Sequence, residues 1–243
     1  MFHRQLLSDE TNVSLLVHGR LPARSSVTRP TVEDLRRADR LRRSEDRDRS
    51  LVTAHLLRVA AAHLAGVDAG EVDVTRACRT CGTDGDHGRP VVRRGPAAGI
   101  GLSASHAGDV VVVAASTVGP VGIDVDLVAH TAFPGFDAVA LAPRERDALD
   151  RVPSADRARW RARCWTRKEA VLKWTGLGLA VEPTAVEVPA DGTPHARGPL
   201  SAELPPDLVV VGLQGLPPGY VGAVAAQRDA AGVLARPVED TGG

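Results

Sequence analysis

Two aspartates close the apolar run Val121-Gly-Ile-Asp-Val-Asp126. On a strand, residues two apart point to the same face, so Asp124 and Asp126 converge there. Carboxylates that close repel each other unless a cation lies between them. Oxygen ligands of this kind suit Mg²⁺, which keeps waters and takes a substrate phosphate as a further ligand. The same pair also fits a polar strand edge running into a loop. A second group lies in Trp165-Thr-Arg-Lys-Glu-Ala-Val-Leu-Lys-Trp174. Lys168 and Lys173 are the only lysines in a chain with 28 arginines. Where charge alone is wanted this chain uses arginine, so both positions point to a need for a compact ammonium rather than a planar fork. Glu169 and Lys173 are four apart, and Trp165 lies four before Glu169, which puts all three on one helix face. The commonest use of that spacing is a surface pair worth about 0.2–0.5 kcal/mol. A face carrying Trp165 and Leu172 is apolar enough to be partly buried, however, and charges there need partners or a ligand.

Ser103-Ala-Ser105-His106-Ala-Gly108 reads as the end of a strand entering a tight turn, where hydroxyl, imidazole and free backbone amides can hold a phosphate. A serine–histidine nucleophile is the rival reading, but adjacent residues rarely point at each other and no G-x-S-x-G elbow is present. A solvated loop is the third. Cys78-Arg-Thr-Cys81 with His87 nearby invites zinc, yet structural zinc needs four ligands. The remaining cysteine, Cys164, lies in the lysine-bearing helix. Asp86-His-Gly-Arg-Pro90 therefore reads more naturally as a turn presenting Arg89.

The elements that must position these groups follow from capping and periodicity. Thr31 and Asp34 form a capping box opening a helical tract to Gly66, with a break near Ser44. Leu51, Ala54, Leu57 and Ala61 repeat at close to helical spacing. β-rich runs follow at Glu71–Thr75, Pro90–Val92, Ile100–Ser103 and Asp109–Ser116, and the Gly119-Pro120 turn leads into Val121–Leu127. Helices are then expected over Phe136–Leu141 and Pro143–Val152, the latter with proline in the first turn. Ser154 is placed to cap a helix from Ala155 to Trp174, ended by Gly176 and Gly178. Strands return at Ala185–Val188, Leu208–Leu213 and Tyr220–Ala226. Helices followed by strands, twice, describe an α+β chain of two pseudo-symmetric halves, 1–119 and 120–243, each with helices on a small, mostly antiparallel sheet. The shared texture of Gly108-Asp-Val-Val-Val-Val-Ala-Ala and Gly219-Tyr-Val-Gly-Ala-Val-Ala-Ala supports the repeat.

Composition bounds the rest. The 243 residues suffice for one large core or two small ones. The 30 basic and 30 acidic residues cancel, which removes the electrostatic case for a dedicated nucleic-acid binder. Val110 to Ala115 is the longest apolar run, far short of the ~20 residues a membrane span needs. An odd cysteine count and a start without a basic, apolar leader fit a reducing cytoplasm, which is the expected location.

Four elements in this order resemble the Sfp-type 4′-phosphopantetheinyl transferases: His87-Gly-Arg-Pro90, Ser103-Ala-Ser-His106, Val121-Gly-Ile-Asp-Val-Asp126, and Trp165 to Lys173 followed by Gly176-Leu-Gly. The arginine-rich stretch from Arg37 to Arg49 is similar to the family's upstream coenzyme A-contacting helix. The resemblance spans Arg36 to Leu179 and implies a pseudo-symmetric, monomeric α+β enzyme. Such an enzyme moves the phosphopantetheine arm of coenzyme A to a serine of an apo acyl or peptidyl carrier protein and releases adenosine 3′,5′-bisphosphate. Carried over by position, Asp124, Asp126 and Glu169 would hold Mg²⁺ on the diphosphate. Arg37, Arg49 and Arg89 would grip coenzyme A phosphates, and Ser105 and His106 would contact nucleotide or diphosphate. Lys168 would support the cluster, while Lys173 would stabilise charge on the phosphate or leaving group. Glu169, beside the metal, would also take the serine proton directly or through water, with a metal-bound water as the other candidate base.

The chain departs from the family pattern in four places. Asp126 stands for a frequent Glu, Arg89 for the usual Lys, Leu102-Ser103 for Phe-Asn, and Ala107 for Ser. Three alternatives remain: another Mg²⁺-dependent phosphate-ester enzyme, a coenzyme A-binding or carrier-docking protein without catalysis, and the short trimeric carrier synthase. The last shares the G-I-D and K-E motifs but has about half this length. The carrier's pathway, whether polyketide, nonribosomal-peptide, siderophore or fatty-acid assembly, is not written in these motifs.

Overall fold

The computed structural model describes residues 2–6, 13–18, 29–82 and 87–228. Asp86, expected in the turn before Arg89, lies outside them. Two strands not foreseen in the sequence, β1 (Phe2–Leu6) and β2 (Val13–His18), come first. The Thr31 hydroxyl then accepts from Asp34 N at 3.1 Å, and the Asp34 carboxylate accepts from Thr31 N at 2.9 Å. This capping box starts α1 (Val32–Asp39). The break near Ser44 is real: α2 spans Ser44–Ala65 and stops at Gly66, which takes the left-handed conformation that ends helices.

Four strands follow: β3 (Thr75–Ala77), β4 (Arg89–Val91), β5 (Gly101–Ala107) and β6 (Val110–Ser116). Glu71 belongs to a 3₁₀ turn rather than to the expected strand. All seven residues of β5 pair with β6 across the two-residue turn Gly108-Asp109, with Gly108 at φ 49°. Ser103, Ser105 and His106 therefore lie on the strand itself, which corrects the expected Ser-His loop. Pairing carries β5 past the point where the sequence changes from apolar to polar.

After β7 (Val121–Leu127) come α3 (Phe136–Ala140), α4 (Pro143–Leu149) and α5 (Arg157–Thr175). Ser154 opens a 3₁₀ turn, so α5 begins later than its expected cap implied. Gly176, at φ 75°, ends it as expected. The chain closes with β8 (Val186–Glu187), β9 (His195–Ala196), β10 (Leu208–Gly212) and β11 (Tyr220–Gln227). The order β1-β2-β6-β5-β4-β3 forms one antiparallel sheet and β10-β11-β7 a second, beside the small β8-β9 pair.

The α+β architecture follows from where the apolar faces go. Val52, Leu56, Leu57 and Ala60 of α2 pack on Val111, Val113 and Ala115 of β6. The other face of β6, Val112 and Ala114, packs with Val121, Ile123 and Val125 of β7. That double burial is why β6 reads as an unbroken apolar run. The opposite face of β7 is left for α5, whose Ala170, Val171 and Trp174 share a core with Ala223 and Ala225 of β11. The α2–β6 and α5–β11 contacts resemble each other: in both, one long helix lies against a strand that follows a positive-φ glycine, Gly108 before β6 and Gly219 before β11. Among the described residues, no helix is long and apolar enough to cross a membrane.

Candidate active site

The G-I-D glycine sets the distance between helix and sheet. A Cβ on Gly122 would lie 1.9 Å from Ala170 O and 2.5 Å from Trp174 N, so α5 meets β7 backbone to backbone only because residue 122 has no side chain. Glu169 and Lys173 are thereby brought down onto the face of β7 that carries Asp124. Lys173 Nζ donates to Asp124 Oδ1 at 2.7 Å, and Ser105 Oγ donates to the same oxygen at 2.7 Å. Ser103, two residues back on β5, accepts from Ile123 N at 3.0 Å. The two serines stitch β5 to β7, and one of them orients Asp124.

Burial pushes the Asp124 carboxyl above its ordinary value, while Lys173 and Ser105 pull it back. Glu169 has less help. Its side chain is buried and Oε1 has no hydrogen-bond partner among the described residues. Desolvation, then the charges of Asp124 and Asp126, raise its pKa to about 7, with Lys173 opposing. An orphaned carboxylate oxygen beside two further carboxylates is short of positive charge, and its hard oxygen donors fit a divalent cation such as Mg²⁺. The three carboxylates are not drawn into one tight ligand group. Asp126 instead accepts from His130 Nδ1 at 2.6 Å and from Leu127 N at 2.8 Å.

Lys168 does not join this cluster, contrary to the expectation that it supports it. Its fully buried ammonium pairs with Glu145 and donates to Ala140 O at 2.6 Å and Pro183 O at 3.1 Å. It locks α5 to the α3–α4 segment. The three expected phosphate-gripping arginines are distributed unequally. Arg89 Nη2 donates to the carbonyls of Lys173 and Trp174, capping the negative end of α5 beside the cluster. Arg49 bonds Asp46 and donates to Gly108 O at 2.7 Å, holding α2 to the β5–β6 hairpin. Arg37 sits on α1 near Glu33 and Asp34, its Nε buried without a partner among the described residues. His106 is exposed, and its pKa is lowered first by partial desolvation and then by the charges of Arg49 and Lys173.

A cleft of about 280 Å³ runs from Lys173 of this cluster, lined by Arg76, His87, Arg89, Ser103 and Gly176 among others. Arg76 was not anticipated. Desolvation and the neighbouring Arg37 lower its pKa to about 10, so it is a poorly compensated cation facing the cleft. It lies one residue past the expected run Glu71–Thr75, in the middle of β3. His130, the partner of Asp126, carried no signal beyond its spacing. A larger cavity of about 460 Å³ lies along Arg159, Arg163 and Arg167. Neither space is lined by a carboxylate among the described residues, but the smaller cleft meets the acid cluster through Lys173, which lines it and donates to Asp124.

Residues 120–224 match the family model of the 4′-phosphopantetheinyl transferase superfamily. No curated protein matches the chain. The matched stretch contains Gly122, Asp124, Asp126, Glu169 and Lys173, but neither Arg89 nor Ser105.

Proposed function

We propose that this chain is an Sfp-type 4′-phosphopantetheinyl transferase, moving the phosphopantetheine arm of coenzyme A to a serine of an apo acyl or peptidyl carrier protein. The observation that carries the reading is the meeting of Asp124, Glu169 and Lys173 on β7 and α5, all inside the stretch that matches the superfamily. The cleft beside them is lined by Arg76, Arg89 and Lys173, the charge pattern that polyanionic coenzyme A requires.

The reaction forms a bond from the carrier serine oxygen to the pantetheine-side phosphorus and breaks that phosphorus's bond to the adenosine 3′,5′-bisphosphate leaving group. Positioning and neutralisation of oxygen charge dominate such transfers. Asp124, Asp126 and Glu169 would hold Mg²⁺, which supplies charge neutralisation on the diphosphate when bound. Lys173 is held by Asp124 and offers its remaining ammonium protons to the oxygens that gain charge. Glu169 lies one helical turn from Lys173 in the same acid cluster, and in this reading it takes the serine proton, directly or through water. Ser105 keeps Asp124 turned towards Lys173.

Purified protein incubated with coenzyme A, Mg²⁺ and a panel of apo carriers tests the reading by intact mass. A gain equal to the phosphopantetheine arm, absent when the acceptor serine is alanine, is expected. Coenzyme A breakdown without a carrier would favour a phosphate-ester hydrolase instead. Lys173→Arg is expected to lose at least ~10-fold in rate, because a planar fork does not replace a compact ammonium held at this position. Full activity in that variant contradicts the role given to Lys173.

A further inference from the structure

We propose that Cys78, Cys81 and His87 form a Cys₂His site for Zn²⁺ that fixes the wall of the cleft carrying Arg89. One ligand atom from each residue lies within 4.8 Å of the other two, the only such group among the described residues. Cys81 Sγ is 3.2 Å from His87 Nε2, and Cys81 N donates to Cys78 Sγ at 3.4 Å. All three are free of disulfides or other covalent ties, and each is at least partly exposed, so an ion can enter.

The approach of His87 to the cysteines is built into the backbone. Gly88 has φ 96°, and a Cβ there would lie 2.3 Å from Ala77 O and 2.8 Å from Cys78 Cα. Only glycine lets the chain entering β4 cross this closely over the end of β3. The chain on both sides of the ligands is also clamped from outside. Arg79, between the cysteines, donates to Thr175 O and pairs with Glu203 at 2.8 Å, while Arg89, two residues after His87, caps α5. Both arginines thus fasten the ligand-bearing segments to the end of the helix that carries Glu169 and Lys173. Cys78 and His87 themselves line the cleft.

The ligand chemistry selects the metal. Two thiols and an imidazole favour Zn²⁺ over Mg²⁺, whose preference is for oxygen. A ligand count from sequence argues against zinc because it demands four protein donors. Three converged protein donors match the open kind of zinc site, in which an external ligand takes the fourth position, rather than the closed four-donor kind. Hydrogen bonds from Cys81 also hold the Cys78 thiol down to about 7, towards the thiolate that binds metal. The site is a positioning device and stands whether or not the transferase reading does.

The full chain, reduced and stripped with chelator, is titrated with Zn²⁺ and separately with Co²⁺. One equivalent of Zn²⁺, and a Co²⁺ spectrum with thiolate-to-metal charge transfer, are expected. Affinity should fall in Cys81→Ser and in His87→Ala by at least the ~10–100-fold that loss of even an outer-shell partner costs. Asp124→Asn should bind Zn²⁺ as the parent does, which separates this site from the carboxylate cluster. Zn²⁺ should also protect Cys78 and Cys81 of the parent protein from thiol labelling, a readout that needs no variant to fold. Equal labelling with and without Zn²⁺, full retention of the ion by the Cys78→Ser/Cys81→Ser variant, or a Cys78–Cys81 disulfide in place of metal uptake would each overturn the proposal.

Discussion

Burial and the neighbouring Asp124 and Asp126 hold the Glu169 carboxyl near 7, against an ordinary value of 4.5. Between those values the folded chain keeps a proton that the unfolded chain has released. The stability this group contributes is therefore full below pH 4.5 and is lost as pH rises through 7. The difference amounts to ~3 kcal/mol. Glu169→Gln should accordingly unfold at higher urea than the parent at pH 8 without divalent cations, with the gap closing below pH 6. The same variant should lose at least ~100-fold in carrier modification, the usual worth of a general base. A less stable variant at pH 8, or one with parental turnover, would count against the role of Glu169. Lys168 makes the opposite prediction. Lys168→Met leaves Glu145 buried and unpaired, which should cost ~3–5 kcal/mol in urea unfolding while activity per folded molecule stays unchanged. Lost turnover without lost stability would return Lys168 to the active site. Composition singled out both lysines and their spacing separated their directions. The partner of Lys168 was not legible, because Glu145 meets it only through tertiary packing.

At the scale of elements, caps and glycines were readable because their signals are local. Thr31 with Asp34, Gly66 and Gly176 all bound helices where the sequence placed them. The errors arose where pairing is non-local. β5 continues through Ser105 and His106 because β6 supplies seven partners, and β2 finds its place beside β6 from far away in the sequence. Gly122 shows how an element contact sets the chemistry. The motif Val121-Gly-Ile-Asp-Val-Asp126 marks the position, but nothing in it says that its glycine decides how closely α5 can approach β7. Gly122→Ala should force these backbones apart at a cost of ~1–3 kcal/mol or more. Thermal unfolding should record that loss. Transfer should fall further than the folded fraction does, because Lys173 and Glu169 leave Asp124. Parental stability and turnover together would show that the close approach is not needed.

The molecule as a whole places its charge balance and its chemistry in different places. Formal neutrality is a sum, and it hides a cleft lined by Arg76, Arg89 and Lys173. β7 and α5 supply the acids and an ammonium. β4 and β5 supply Arg89, Ser103 and Ser105. The motifs could be found separately in the sequence, but their meeting in space could not. The most direct test of the account is the intact mass of an apo carrier after incubation with coenzyme A, Mg²⁺ and equal amounts of the parent protein or Asp124→Asn, each shown to be folded by its thermal transition. The account predicts one phosphopantetheine arm added per carrier serine by the parent, with matching release of adenosine 3′,5′-bisphosphate, and no addition by the variant. Equal modification by both proteins, or coenzyme A binding with no modification of any carrier, would contradict it.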